Sequence, residues 1–165
     1  MKKVKTNAMR LLDENDISYE ALSFNLKEDK ITPEYIAGEI GKDVKRIFKT
    51  IVTVGHSGNH YVFCLQLIEE LDLKKAARLA EEKSITLIDQ KDLLKITGYE
   101  KGGCSPLGMK KAFRTFFDQR AETFEKIIIS AGKRGYQLEI PVKGLLSLTG
   151  GTTGDLLMET RSIFK

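Results

Sequence analysis

The chain of 165 residues contains no tryptophan, two histidines, two cysteines and three prolines. Each scarcity removes a class of function. Cys64 and Cys104 lie 40 positions apart and make no disulfide framework, so they read as reduced thiols in a cytoplasm. With only His56 and His60 present, any Ser-His or Cys-His mechanism must draw its base from one short stretch, which disfavours a triad hydrolase. The two imidazoles are four residues apart, but Gly55, Ser57, Gly58 and Asn59 surround them and no nearby Cys or Asp completes a ligand set. A hairpin turn is favoured there over a metal site. No apolar run approaches the ~20 residues needed to cross a bilayer. The opening MKKVKTNAMRLL meets Asp13 and Glu14 at once and reads as no export signal.

What is present suits a globular fold. Apolar residues make up 41% of the chain and charged residues 30%, enough to bury a core, and no linker or repeat divides it. One domain over 1–165 is expected, with fraying over Met1–Val4. A net charge of +4 permits nucleic-acid binding without demanding it. Thr6 or Asn7 caps a first helix through Leu12 that stops at Asn15, and Ile17–Leu26 alternates like a strand. Thr32-Pro33-Glu34 opens a second helix that Gly41 ends. Residues 46–54 and 60–67 form a hairpin around Gly55–Asn59. Asp72 caps a helix through Ala80; Ser84–Ile88 is a strand and Gln90–Ile96 a short helix closed by Gly98. Strands follow at Ala112–Phe117, Lys126–Ser130 and Tyr136–Ile140, then a helix over Pro141–Leu148. Interleaved helices with antiparallel hairpins predict an α+β fold, with one mixed sheet packed by helices.

Three features bear on chemistry. Lys49 sits at a strand position among apolar residues, so its stem covers apolar surface and its ammonium reaches solvent or an anion beside a pocket. The stretch Gly102-Gly103-Cys104-Ser105-Pro106-Leu107-Gly108 presents amide groups to a carbonyl, carboxylate or phosphate, or is simply a tight turn. It lacks the Gly-Lys-Ser/Thr ending of a nucleotide P-loop. Within it Cys104 is either a small loop residue or a thiolate nucleophile, the latter lacking an evident base; Cys64, in YVFCLQL, reads as core. Lys110, Lys111 and Arg114, and Lys133 with Arg134, are basic clusters that suit phosphates or solvent.

Taken together, Phe48-Lys49-Thr50, Leu71-Asp72-Leu73-Lys74-Lys75-Ala76, Thr97-Gly98-Tyr99 through Gly108, and Ser130-Ala131-Gly132-Lys133-Arg134-Gly135 resemble, in order and spacing, the YbaK/EbsC family of aminoacyl-tRNA deacylases. The likeness runs from the first helix to about Leu148. It implies a single-domain enzyme with no cofactor and no metal, related to the editing domain of bacterial prolyl-tRNA synthetase and built on a mixed, strongly curved (pseudo-barrel) sheet. The implied substrate is the 3′-aminoacyl end of mischarged tRNA, with Cys-tRNA(Pro) the leading candidate and prolyl-tRNA synthetase a possible partner. By this resemblance Lys49 is the essential lysine, with Thr50 beside it. Gly102, Gly103, Cys104, Ser105, Pro106 and Gly108 form the loop that offers amides to the aminoacyl carbonyl, and Ser130 and Gly132 line the pocket opposite. The resemblance to the YbaK branch also implies that the cysteinyl substrate's own thiol attacks its carbonyl, which would explain a site without catalytic His or Cys.

Two positions depart from the better-known branch: a tyrosine is replaced by Phe24, and an acidic residue after the GKRG turn by Gln137. Both border the implied aminoacyl pocket. Other readings remain: a deacylase for another small amino acid, a non-catalytic tRNA- or synthetase-binding module of the same fold, or a thiol enzyme using Cys104.

Overall fold

The structure is a computed structural model that describes residues 4–27 and 29–159; the expected fraying of residues 1–3 lies outside these. The helices are α1 (Asn7–Glu14), α2 (Pro33–Ile40), α3 (Leu73–Ala80), α4 (Leu93–Thr97) and α5 (Val142–Thr149). The strands are β1 (Glu20–Ser23), β2 (Phe48–Gly55), β3 (His60–Gln66), β4 (Ile85–Leu87), β5 (Arg114–Asp118), β6 (Lys126–Ser130), β7 (Tyr136–Pro141) and β8 (Thr152–Gly154). The α+β class holds, but the strands form two sheets rather than one. An antiparallel sheet has the order β1-β7-β6, and a mixed sheet the order β4-β2-β3-β5-β8. Neither closes into a barrel. Among the described residues a single parallel bridge, Ile47 to Ile128, joins them.

Local chemistry sets the helix ends. Thr6 and Thr32 accept hydrogen bonds from the Met9 and Tyr35 amides, and Asp72 accepts from those of Lys74 and Lys75. Gly41 closes α2 in the left-handed region at φ 68°, whereas after α1 that conformation falls on Asp16 rather than Asn15. The segment expected as a strand over 17–26 pairs only at Glu20–Ser23, where it meets β7. Two 3₁₀ turns, Val44–Arg46 and Gln119–Thr123, and the short strand β8 lacked a sequence signal.

Three apolar clusters follow from this division. The largest lies between the sheets and gathers Leu12, Phe48, Val52, Phe117, Ile129 and Leu145. A second packs α3 on the outer face of the mixed sheet, through Phe63, Leu65 and Ala76. The third holds α2 and centres on Ile36, Ile47 and Ile128. Buried Glu139 ties the 3₁₀ turn at Val44–Arg46 to β7, accepting from Arg46 and Lys42. Burial pushes its carboxyl up, but the hydrogen bonds from Arg46 and Lys42 prevail and leave it below the ordinary range.

Candidate active site

The site lies where the two sheets separate. The odd-numbered residues along β2 turn their peptide groups towards β3, as the Leu67 amide donating to the Ile47 carbonyl and the Gly55 amide donating to the Asn59 carbonyl show. The peptide groups of Phe48 and Thr50 therefore point the other way, towards β6. Beyond the Ile47–Ile128 bridge the two strands diverge, and a cavity of about 260 Å³ opens between them. Lys49 and Thr50 form one wall, Ser130 and Gln137 another, and Gly102 and Cys104 of the glycine loop a third. Phe24, from the segment after β1, completes it beside apolar residues that include Ile31 and Ile36.

Lys49 owes its position to strand alternation. On its face of β2, Ile47 belongs to the cluster under α2 and Ile51 packs against the cluster under α3. Lys49 falls in the gap between them, half-buried, and donates a hydrogen bond to the Glu69 carbonyl. Burial pulls its ammonium below the ordinary lysine range, opposed by the charges of Glu70 and Glu69.

The glycine loop is fixed by Tyr99. Its buried hydroxyl donates to the Leu107 carbonyl, and burial pushes its pKa up to about 12. The ring leaves no room for a side chain at Gly132, where an added Cβ would come within 2.8 Å of it and where φ is 97°. The glycine loop and the GKRG turn are thus clamped on one aromatic ring. At Gly103 an added Cβ would meet the Arg134 backbone at 3.1 Å, so the loop and the turn also touch directly. The Gly103 amide donates to the Glu100 carbonyl and the Leu107 amide to the Ser105 hydroxyl, while among the described residues those of Gly102 and Cys104 have no partner.

Of the positions singled out in the sequence, Lys49, Phe24, Thr50, Gly102, Cys104, Ser130 and Gln137 share this cavity. Gly103, Ser105, Pro106, Gly108 and Gly132 stand behind it: Ser105 is buried, Pro106 and Gly108 face a separate groove near α1, and the Gly132 amide donates to Ser130 Oγ at 3.1 Å. Arg134, read from sequence only as part of a basic cluster, also lines the cavity and extends along an adjoining groove. The apolar wall at Ile31 and Ile36 gave no signal, because the same residues would serve any helix contact.

Burial pushes the Cys104 thiol up to about 12, with a hydrogen bond to Thr97 opposing, so the thiol is protonated near neutrality. Cys64 is fully buried on β3 and shifted upwards for the same reason. His60 begins β3, as the hairpin pattern predicts, and packs on Phe113 with ring centroids 5.6 Å apart. Among the described residues no three His, Cys, Asp or Glu side chains gather as a metal site, and no helix is long and apolar enough to cross a membrane.

The profile of the aminoacyl-tRNA editing domain matches residues 27–148, which span every wall of the cavity except Phe24 and Leu26. The chain belongs to the aminoacyl-tRNA editing domain family. This editing domain is 42% identical over 152 residues to EbsC of Enterococcus faecalis (strain ATCC 700802 / V583), to which Cys-tRNA(Pro)/Cys-tRNA(Cys) deacylase activity is ascribed; the match covers 92% of this chain and 93% of that protein. Its fold is shared by a crystal structure described as a trans-editing enzyme for prolyl-tRNA synthetase, with a TM-score of 0.79 at 24% identity, over 95% of this chain and all of that one. A scaffold protein used for computational epitope grafting superimposes with a TM-score of 0.82, also at 24% identity and with the same coverage.

Proposed function

We propose that the chain acts as one aminoacyl-tRNA deacylase domain, in the cytoplasm and in trans, removing cysteine wrongly attached to tRNA(Pro). The observation that carries this reading is the meeting of Lys49, the glycine loop and Ser130 in one cavity of a chain with the editing-domain sequence. The likeness to a protein named as a Cys-tRNA deacylase supports the choice of cysteine.

An aminoacyl ester is already activated, so placement and stabilisation of the developing oxyanion suffice for its cleavage. Lys49 supplies a cation beside the ester, and the unpartnered amides of Gly102 and Cys104 supply donors. Cys104 is not the nucleophile, because its thiol is held protonated and no base adjoins it. The substrate's own thiol takes that role. Its sulfur bonds to the carbonyl carbon, the bond from that carbon to the ribose oxygen breaks, and the thiol proton ends on the tRNA hydroxyl. Cysteine departs as a thiolactone, which water later opens. Fit alone would discriminate poorly among small side chains, since one methylene is worth about 1–3 kcal/mol.

The test is a panel of Cys-, Ala- and Ser-tRNA(Pro), incubated with and without prolyl-tRNA synthetase. Preferential loss of cysteine is expected, faster with the synthetase if it delivers the tRNA. Equal release of all three would overturn the substrate assignment, and release of none would favour a binding module.

A further inference from the structure

The cavity wall has an unusual balance of charge. Among the described residues it contains two cations, Lys49 and Arg134, and no carboxylate. The acids nearby belong to other arrangements. Glu139, two residues along β7 from Gln137, is ion-paired with Lys42 and Arg46, and Glu20 of β1 also faces Lys42. Glu69 and Glu70, after β3, act on Lys49 from outside the wall, and Glu39 of α2 lines only the adjoining groove. The thiol of Cys104 stays neutral. At this part of the wall β7 presents Gln137. It is 7% exposed, it borders the cavity beside its cross-strand neighbour Ser130, and among the described residues its carboxamide has no hydrogen-bond partner. Its carboxamide atoms remain accessible from the cavity and so are free to meet a ligand.

The aminoacyl ester proposed above carries an α-amine that titrates near neutrality, with an ordinary pKa of about 7.7–8.0 for such a group. As an ammonium it would enter a half-enclosed space beside two like charges and no counter-ion. As a neutral amine it can donate to the Gln137 carbonyl oxygen or accept from its NH₂. We infer that Gln137 is a specificity-determining residue that holds the substrate's α-amine in its uncharged form. This rests on the deacylase reading and adds to it a choice between two protonation states of one substrate.

The decisive experiment measures KM against pH for an aminoacyl-tRNA and for its α-hydroxyacyl counterpart, which has the same side chain and ester but no titrating amine. Wild-type KM for the aminoacyl substrate is expected to rise about tenfold per pH unit below the amine pKa, while KM for the hydroxyacyl substrate stays level. Gln137→Glu places a carboxylate in the wall and is expected to lower the aminoacyl KM at pH 6 by about tenfold, relative to the hydroxyacyl KM. Parallel KM profiles for the two substrates in the wild type would overturn the inference without help from any variant. An unchanged KM ratio in a folded Gln137→Glu protein would do the same. Parallel profiles with turnover leave the deacylase reading standing; absence of turnover for both substrates at every pH removes that reading and this inference with it.

Discussion

Lys49 and Cys104 border the same cavity, and physical chemistry assigns them opposite fates. A half-buried ammonium that donates to a single carbonyl keeps donor capacity for a ligand, whereas a half-buried thiol with a raised pKa is a poor nucleophile. Cys104→Ala is therefore expected to retain most of the deacylation rate, because the main-chain amide that borders the cavity is unchanged. A stopped assay with that variant checks it, and abolition of turnover would promote a thiol mechanism. Lys49 also marks where sequence stops being informative. Alternation along β2 is legible and puts Lys49 on the face of Ile47 and Ile51. That this face opens onto a cavity at position 49 depends on where β6 lies, 80 residues further on, and no local pattern encodes that. Gln137 was legible as a departure from a family pattern, but the lack of any carboxylate in the wall around it, among the described residues, was not.

The elements that hold the site are coupled by a few buried contacts. Tyr99 lies between the glycine loop and the turn at Gly132, and Gly132 needs both a positive φ and a missing side chain. Gly132→Ala is expected to destabilise the fold by about 1–3 kcal/mol, seen as a lower midpoint in urea, together with loss of activity as the loop retreats from the cavity. At the other end of the mixed sheet, Asp155 links α3 to the 3₁₀ turn that follows β5 by accepting from Lys75 and Arg120. The hydrogen bond from Lys75, helped by Arg120 and opposed by burial, lowers its pKa to about 2. Because the folded value lies below the unfolded one, the stabilisation is present above about pH 4 and is lost as pH falls towards 2. Asp155 is 39% exposed, so solvent screening limits the contribution to about 1 kcal/mol. Asp155→Asn should be less stable than wild type at pH 7 and equal to it near pH 2, which denaturation at the two pH values would show. Most elements were readable because their signals are local: Thr32, Pro33 and Gly41 specify α2 without reference to the rest of the chain. Strand β8 and the 3₁₀ turn at Gln119–Thr123 were not, since they exist through contacts with β5 and Asp118.

For the whole molecule, the sheet that sequence patterning suggested as continuous is divided, and the division creates the site. The alternating strands specify which residues are buried but not which strand edges meet, and one bridge at Ile47 and Ile128 decides that β2 and β6 part where Lys49 begins. The family resemblance supplied the long-range placement that patterning could not. In the proposed mechanism this gap cleaves an activated ester by a cation and oriented amides, with no attacking group from the protein. Single-turnover deacylation of Cys-tRNA(Pro) by wild type and Lys49→Ala tests it most directly. A loss of about 10²–10³-fold is predicted for a folded variant, and a Lys49→Ala protein that deacylates at the wild-type rate would contradict it.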